Sequence, residues 1–351
     1  METVTIVDTS ICTDNLGDEI IMEAVDDVVT RLFPEAYIYR APSHEALSDR
    51  TLKFIRGSSW CFIGGTNLLS SHITPHGLWR LDERGAAAYG STRTVCLGTG
   101  WSDYSPDATA KTRGLLRTAL SPHLVHSVRS NYALDHLRKL GRDAVTTSCV
   151  TTWSLTPDHC AQLASKTSQS AVFTLTAWRR EPDADRAFVE VLRTRYKKLH
   201  FWPQMHDDYD YFRKFGWESV SMIAPTLQAF DRFLENEDVD FVGTRLHGGI
   251  RALQKRRRAL ILAVDNRAAE IAKHSGLPVV QRADTAGIER WIDREAPIRF
   301  DLPQEAIESW LSQFKPPQRN SVPQPEPLPD RGPAIMSVQR IKNVARAALG
   351  R

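Results

Sequence analysis

The chain has 351 residues, 42% apolar and 25% charged, long enough for one large core or two medium ones and ordinary for a soluble globular protein. Its 45 basic and 42 acidic residues leave a net charge of +3, which gives no argument for nucleic acid, since that partner needs a clustered basic surface. The five cysteines (Cys12, Cys61, Cys96, Cys149, Cys160) are scattered without a C-x-x-C pair, which argues against a disulfide framework or a zinc site.

The start, "METVTIVDTSICTDNLGDE", lacks the basic opening and apolar run of a signal peptide. No apolar stretch approaches the roughly 18 residues of a membrane span, so the expected location is the cytoplasm. "TVTIVDTS" (3–10) is β-branched and reads as a buried first strand. "NLGDEIIMEAVDDVVTRLF" (15–33) then carries apolar residues at helical spacing, acids near its start and Arg31 in its last turn. "AYIYRAP" and "SSWCFIGGTNLL" read as further strands, and "TRTVCLGTGW" (92–101) repeats the pattern of an apolar run ending in glycines. "LVHSVRSNYALDHLRKLG" (124–141) offers a strand and then a helix closed by Gly141. Strands alternating with helices imply a parallel sheet covered on both faces.

A second series starts near 168. "SAVFTLTAWRR" (170–180) is a strand ending in two arginines, "ADRAFVEVLRTRY" a helix, and "KKLHFWPQM" a strand followed by an acidic aromatic loop, "HDDYDYF". Helix "TLQAFDRFLENE", strand "VDFVGT", helix "GGIRALQKRR", strand "ALILAVD", helix "RAAEIAKHSG" and strand "LPVVQ" follow. The expected organisation is α/β, with Rossmann-like domains over 1–165 and 166–315. A Pro-rich linker over 316–333 and a tail helix over 334–351 complete it. That tail helix packs on its own protein or a partner, or else lies on an anionic membrane surface. Two such domains face each other across a cleft, with ligands at the carboxyl ends of the strands.

The chemistry concentrates in "FVGTRLHGGIRAL". An apolar strand hands over to Thr244-Arg245-Leu246-His247, and Gly248-Gly249 open a helix. A helix N-terminus presents unpaired N–H groups and a positive dipole end, and glycines let an anion approach the backbone. Arg245 can add a bidentate fork, and His247 can move a proton near neutral pH. A tight structural turn accounts for the same residues equally well. Arg179 and Arg180 end a strand that, if parallel, puts one of them at the same anion. In the first half, Asn15, Gly17 and Asp18 occupy the first strand-to-helix turn, where Asp18 either caps the helix or accepts from sugar hydroxyls. Gly64, Gly65 and Asn67 stand at the corresponding end of another strand. His206 and Asp207 belong to a polar loop that contacts substrate; their consecutive spacing argues against a metal site, and none is expected. Lys255 to Arg258 read as a solvated helix face.

Taken in order, "NLGDEII", "GGTNLL", "GTGW", "SVRS", "TRLHGG" and "LILAVD" resemble the polysaccharide pyruvyl transferase family across roughly residues 5 to 285. The resemblance implies two Rossmann-like domains arranged as in one large class of glycosyltransferases. It also implies phosphoenolpyruvate as donor, a sugar in a polysaccharide, oligosaccharide or glycolipid as acceptor, and no further cofactor. Pyruvate would be installed as a cyclic ketal across two hydroxyls. Carried over by motif, Arg245, His247 and one of Arg179 and Arg180 belong to the donor site, and "NLGD" and "GGTN" lie nearer the acceptor. Where the family shows an acidic residue after Ser-Val-Arg, Ser130 and Asn131 follow Arg129 here, and Asn266-Arg267 follow Asp265 where a lysine is usual slightly downstream. The competing readings are a nucleotide-sugar glycosyltransferase of the same plan and a non-catalytic carbohydrate- or phosphate-binding relative.

Overall fold

The computed structural model describes residues 1–74, 77–102 and 107–314, with the backbone alone at 266, 267 and 274. The Pro-rich linker and the tail helix expected over 334–351 lie outside the described residues.

Four parallel strands build the first sheet: β1 (Thr3–Asp8), β2 (Tyr37–Pro42), β3 (Trp60–Gly64) and β4 (Arg93–Leu97), in the order β2-β1-β3-β4. β3 is buried along its whole length, as a strand covered on both faces must be. β5 (His126–Val128) and β6 (Ala144–Thr146) pair with each other, and β5 joins β4 through a bridge between Thr99 and Val128. Side chains fill out that junction: Cys96 N–H donates to His126 Nδ1 at 3.2 Å and Gly98 N–H to Ser127 Oγ at 2.8 Å. The second sheet holds β7 (Ser170–Phe173), β8 (Lys198–Phe201), β9 (Ser221–Met222), β10 (Asp240–Gly243), β11 (Ala259–Ala263) and β12 (Val279–Gln281). Its order, β12-β11-β10-β7-β8-β9, is parallel throughout and is the doubly wound Rossmann order. The fold is therefore α/β with two Rossmann-like halves, as the alternating pattern implies.

Both sheets belong to one compact unit, Met1–Phe314. The expected join near 155–170 falls between β6 and β7, where the short Pro157–Cys160 helix sits. The Leu16–Leu32 helix ties the halves together. Ile21, Met22 and Val25 pack beneath the first sheet, while Ile20 joins the core of the second. Its entry is pinned to the other half as well, since Leu16 N–H donates to Gln204 O at 3.0 Å and Asn15 bridges Met205.

Two elements depart from the sequence reading. "HDDYDYF" is the helix His206–Arg213 rather than a loop. Asp208 accepts the Met205 N–H at 3.0 Å near its start, and Tyr211 and Phe212 then fall on the buried face. The Gln304–Ser312 helix, assigned by sequence to the second half, packs on the first. Its Trp310, with Phe314 beyond it, shares a core with Phe33, Trp60 and Phe62, and Gln313 bonds the Val125 backbone in both directions at 3.0 Å.

Candidate active site

A cleft of about 1010 Å³ opens at the carboxyl ends of the strands in both sheets. From the first half it takes Asn15, Asp18, His44, Thr66, Asn67 and Arg129; from the second, Trp178, Arg179, Thr244, Arg245, His247 and Asp265. Each set follows the end of a strand near the reversal in strand order, where ligands of doubly wound sheets bind.

On the second-half wall β10 delivers Thr244 and Arg245 to the cleft, and the Leu246–Gln254 helix starts there. Arg245 caps that helix by position but gives it no side-chain acceptor, whereas Ser130, Thr226 and Asp284 do cap theirs. The first turn, with Leu246 and His247 in the cleft lining, therefore keeps its dipole end for a ligand. The guanidinium differs from the sequence expectation. Its fork is bidentate to Asp208, with Nε 2.9 Å from Oδ2 and Nη2 on Oδ1, and Nε also donates to Leu175 O at 3.1 Å. Asp208 is fully buried and further accepts Ala177 N–H at 3.0 Å. Asp208 thus takes the fork that the sequence reading gave to an anion, although Arg245 still contributes to the cleft lining.

Gly248 and Gly249 are explained by packing. A Cβ at Gly249 would stand 2.5 Å from Ile261 Cγ1, and one at Gly248 would stand 3.2 Å from the Phe241 ring. Small residues let the helix lie close on β10 and β11, a requirement separate from the anion approach that the sequence suggested. His247 is buried in the cleft wall, its Nε2 3.7 Å from Cys149 Sγ. The two candidate arginines are separated by the structure. Arg179 lines the cleft, while Arg180 lies 5.5 Å over the Tyr211 ring and donates to Ala177 O at 3.0 Å.

The first-half wall is built from hydroxyls and amides. Asp18 is buried and accepts from Thr13 Oγ1 at 2.7 Å, Thr66 Oγ1 at 3.1 Å and Asn15 Nδ2 at 3.4 Å. Asn15 also caps its helix through Gly17 N–H and receives Gln204 Nε2 at 2.8 Å from the opposite half. A Cβ on Gly17 would meet Gln204 Nε2 at 2.7 Å, so a side chain there would push that amide off Asn15. Asn67 accepts from Arg129 Nη2. Gly64 and Gly65 do not line the cleft. Their Cβ positions point into the Leu16–Leu32 helix, 3.1 Å from Val25 and 2.2 Å from Ile21, and Gly65 is left-handed at φ +55°. They bring helix to sheet rather than ligand to backbone.

His206 and Asp207 are exposed and outside the cleft lining. With Asp210 they form a surface trio whose ligand atoms lie within 4.8 Å of one another. The run Lys255 to Arg258 is largely tied down: Lys255 reaches Glu235, Arg257 donates to Leu234 O, and Arg258 is buried against Asp240. Sequence reasoning missed His44, Asp208, Gln204 and Trp178. His44, Trp178 and Gln204 stand just beyond β2, β7 and β8, so the strand-end rule that found Asp18 would have reached them; nothing in the sequence sets Asp208 apart from its acidic neighbours.

Fold and site together define an α/β protein with a polar cleft, lined on one wall by arginines, a histidine and a helix start and on the other by a carboxylate, hydroxyls and amides. A family model for polysaccharide pyruvyl transferase matches residues 15–266. The chain belongs to that family of transferases. No curated protein sequence matches it. Among solved structures it is similar to a putative UDP-N-acetylglucosamine 2-epimerase from Listeria monocytogenes (13% identity, TM-score 0.46, 85% of this chain and 92% of that one). It is also similar to MnaA of S. aureus solved with UDP (10%, 0.43, 83% and 87%) and to the heptosyltransferase WaaC of E. coli (10%, 0.39, 83% and 99%). No helix among the described residues is long and apolar enough to cross a membrane.

Proposed function

We propose that the protein transfers the enolpyruvyl group of phosphoenolpyruvate to two hydroxyls of a sugar in a glycan or glycolipid, closing a cyclic ketal and releasing phosphate. One observation carries this reading: an uncapped helix start, Arg179 and His247 share a cleft with the hydroxyl-accepting carboxylate of Asp18. A donor with both a carboxylate and a phosphate suits the first group, and a polyol suits the second.

In this reaction the methylene carbon of the donor gains a proton and becomes methyl, leaving cationic character on the carbon that bears oxygen. One sugar hydroxyl attacks there as its O–H bond breaks. The carbon–oxygen bond to phosphate breaks with its electron pair going to phosphate, and the second hydroxyl closes the ring. Two hydroxyl protons are released overall, matching one taken up by the methyl group and one by phosphate. His247 supplies a proton on the donor side, to the methylene or to the bridging oxygen. Arg179 and the helix start hold the anion through reaction, with the Arg245 charge behind them. Trp178, 51% exposed in the cleft lining, offers an apolar face to the sugar ring.

The experiment is phosphate release from phosphoenolpyruvate with galactosyl, mannosyl, glucosyl and glucuronosyl acceptors. Release that depends on one acceptor supports the reading. Silence across the panel, with calorimetric binding of a nucleotide-sugar instead, would give the cleft to glycosyl transfer.

A further inference from the structure

His44 sits across the cleft from the donor wall, in the loop after β2, and no motif marks it. Its Nδ1 lies 2.7 Å from Leu78 O, and a carbonyl only accepts, so Nδ1 carries the proton. In the neutral ring the lone pair is then on Nε2, which faces Asp18 Oδ2 at 4.0 Å. That gap is too long for a direct hydrogen bond, so the Nε2 lone pair is not taken by Asp18, and His44 lines the cleft. Thr13 and Asn15 both donate to that same Oδ2 and Thr66 donates to Oδ1, so Asp18 is held in place beside the ring as a fixed negative charge.

Resting on the function proposed above, we infer that His44 is the general base for the acceptor: a sugar hydroxyl in the cleft directs its one hydrogen at Nε2 and gives up that proton as its oxygen bonds to the donor carbon. The O–H electron pair becomes the new carbon–oxygen bond, phosphate departs with the pair of the bond it loses, and the imidazolium formed is stabilised by Asp18. His44 then returns its proton to solvent before the second hydroxyl arrives. Protons thus enter through His247 on one wall and leave through His44 on the other.

The charges around His44 favour this use. The Asp18 carboxylate, on the Leu16–Leu32 helix, raises the imidazole above its ordinary 6.5, against burial, and the Leu78 carbonyl adds to the rise. Arg80 pulls the other way and is itself 4.0 Å from Glu45. Since only the neutral ring accepts a proton, activity falls as pH drops through the His44 pKa.

His44→Asn is the informative variant, because the Asn amide can keep the bond to Leu78 O while Nε2 is lost. With phosphoenolpyruvate and the methyl glycosides of the four sugars above, turnover should fall at least about 100-fold, and the acid limb of the pH profile should vanish. Calorimetric affinity for phosphoenolpyruvate and the melting temperature should stay as in the wild type. A variant within about threefold of wild type, with the acid limb intact, overturns the assignment and leaves the proposed function standing. Wild-type protein that releases no phosphate from any pair sinks both. If Asn at 44 lowers the melting temperature, Asp18→Asn carries the test: without that charge the acid limb must move to lower pH, and a limb that stays in place overturns the pairing.

Discussion

The two walls of the cleft are organised by different physics. On the second-half wall ionic groups are buried against one another: Arg245 on Asp208 at the cleft, Arg282 on Asp185 and Arg258 on Asp240 behind it. On the first-half wall the carboxylate of Asp18 is met by hydroxyls and an amide, and two cleft residues, Cys12 and Thr66, hold left-handed backbone at φ 57° and 48°. Such conformations cost roughly 1 kcal/mol or more each for a residue with a side chain. The lesson is that the second-half wall is fixed by its buried ion pairs, whereas the first-half wall presents rotatable hydroxyls that can exchange partners.

The sharpest way to break the comparison is Asp208→Ala. It strands a guanidinium only 6% exposed and should lower the free energy of unfolding by about 3–5 kcal/mol in urea denaturation. Asp18→Asn removes a charge met by hydroxyls and an amide, with the His44 ring 4.0 Å away, and should cost only about 0.5–1.5 kcal/mol. Equal losses at the two positions would erase the distinction. Next in size is His247→Ala. The fold should survive, and turnover should fall at least about 100-fold, as for a lost acid–base group. A folded variant with near-normal transfer would remove His247 from the chemistry and leave the donor wall a binding surface.

How much of this could be read in advance follows from the kind of signal each feature leaves. The strand-to-helix turns at Asn15 and Arg245 were legible, because buried parallel strands are continuous apolar runs and the turns after them are short. The partner of Arg245 was not. Asp208 is 37 residues away, and "HDDYDYF" gives equal weight to three acids, of which folding buries Asp208 and leaves Asp207 and Asp210 exposed. Glycines misled in a consistent way. Gly65 and Gly249 stand where a ligand-binding glycine would stand, yet their missing side chains make room for Ile21 and Ile261. Close packing and close ligand approach leave the same mark on a sequence. The Gln304–Ser312 helix was recognised but put with the wrong sheet, since its apolar face says that it packs and not against what.

The smallest effects come from a neighbouring pair on one wall. Arg179 reaches the cleft and should make a charge-assisted bond to the donor, about 1.5–3 kcal/mol, so Arg179→Ala should weaken phosphoenolpyruvate binding roughly 10- to 100-fold by calorimetry. Arg180→Ala loses a cation–π contact with Tyr211 and should cost about 0.5–1 kcal/mol of stability, with donor affinity within about twofold of wild type. The pair tests orientation more than charge, because both changes remove one positive charge at almost the same place in the chain. If long-range field alone attracted the donor, the two variants would lose affinity alike. A loss confined to Arg179 would mean that the short turn Ala177–Arg179, held by Asp208 through the Ala177 N–H, aims one guanidinium into the cleft and turns the next one out of it.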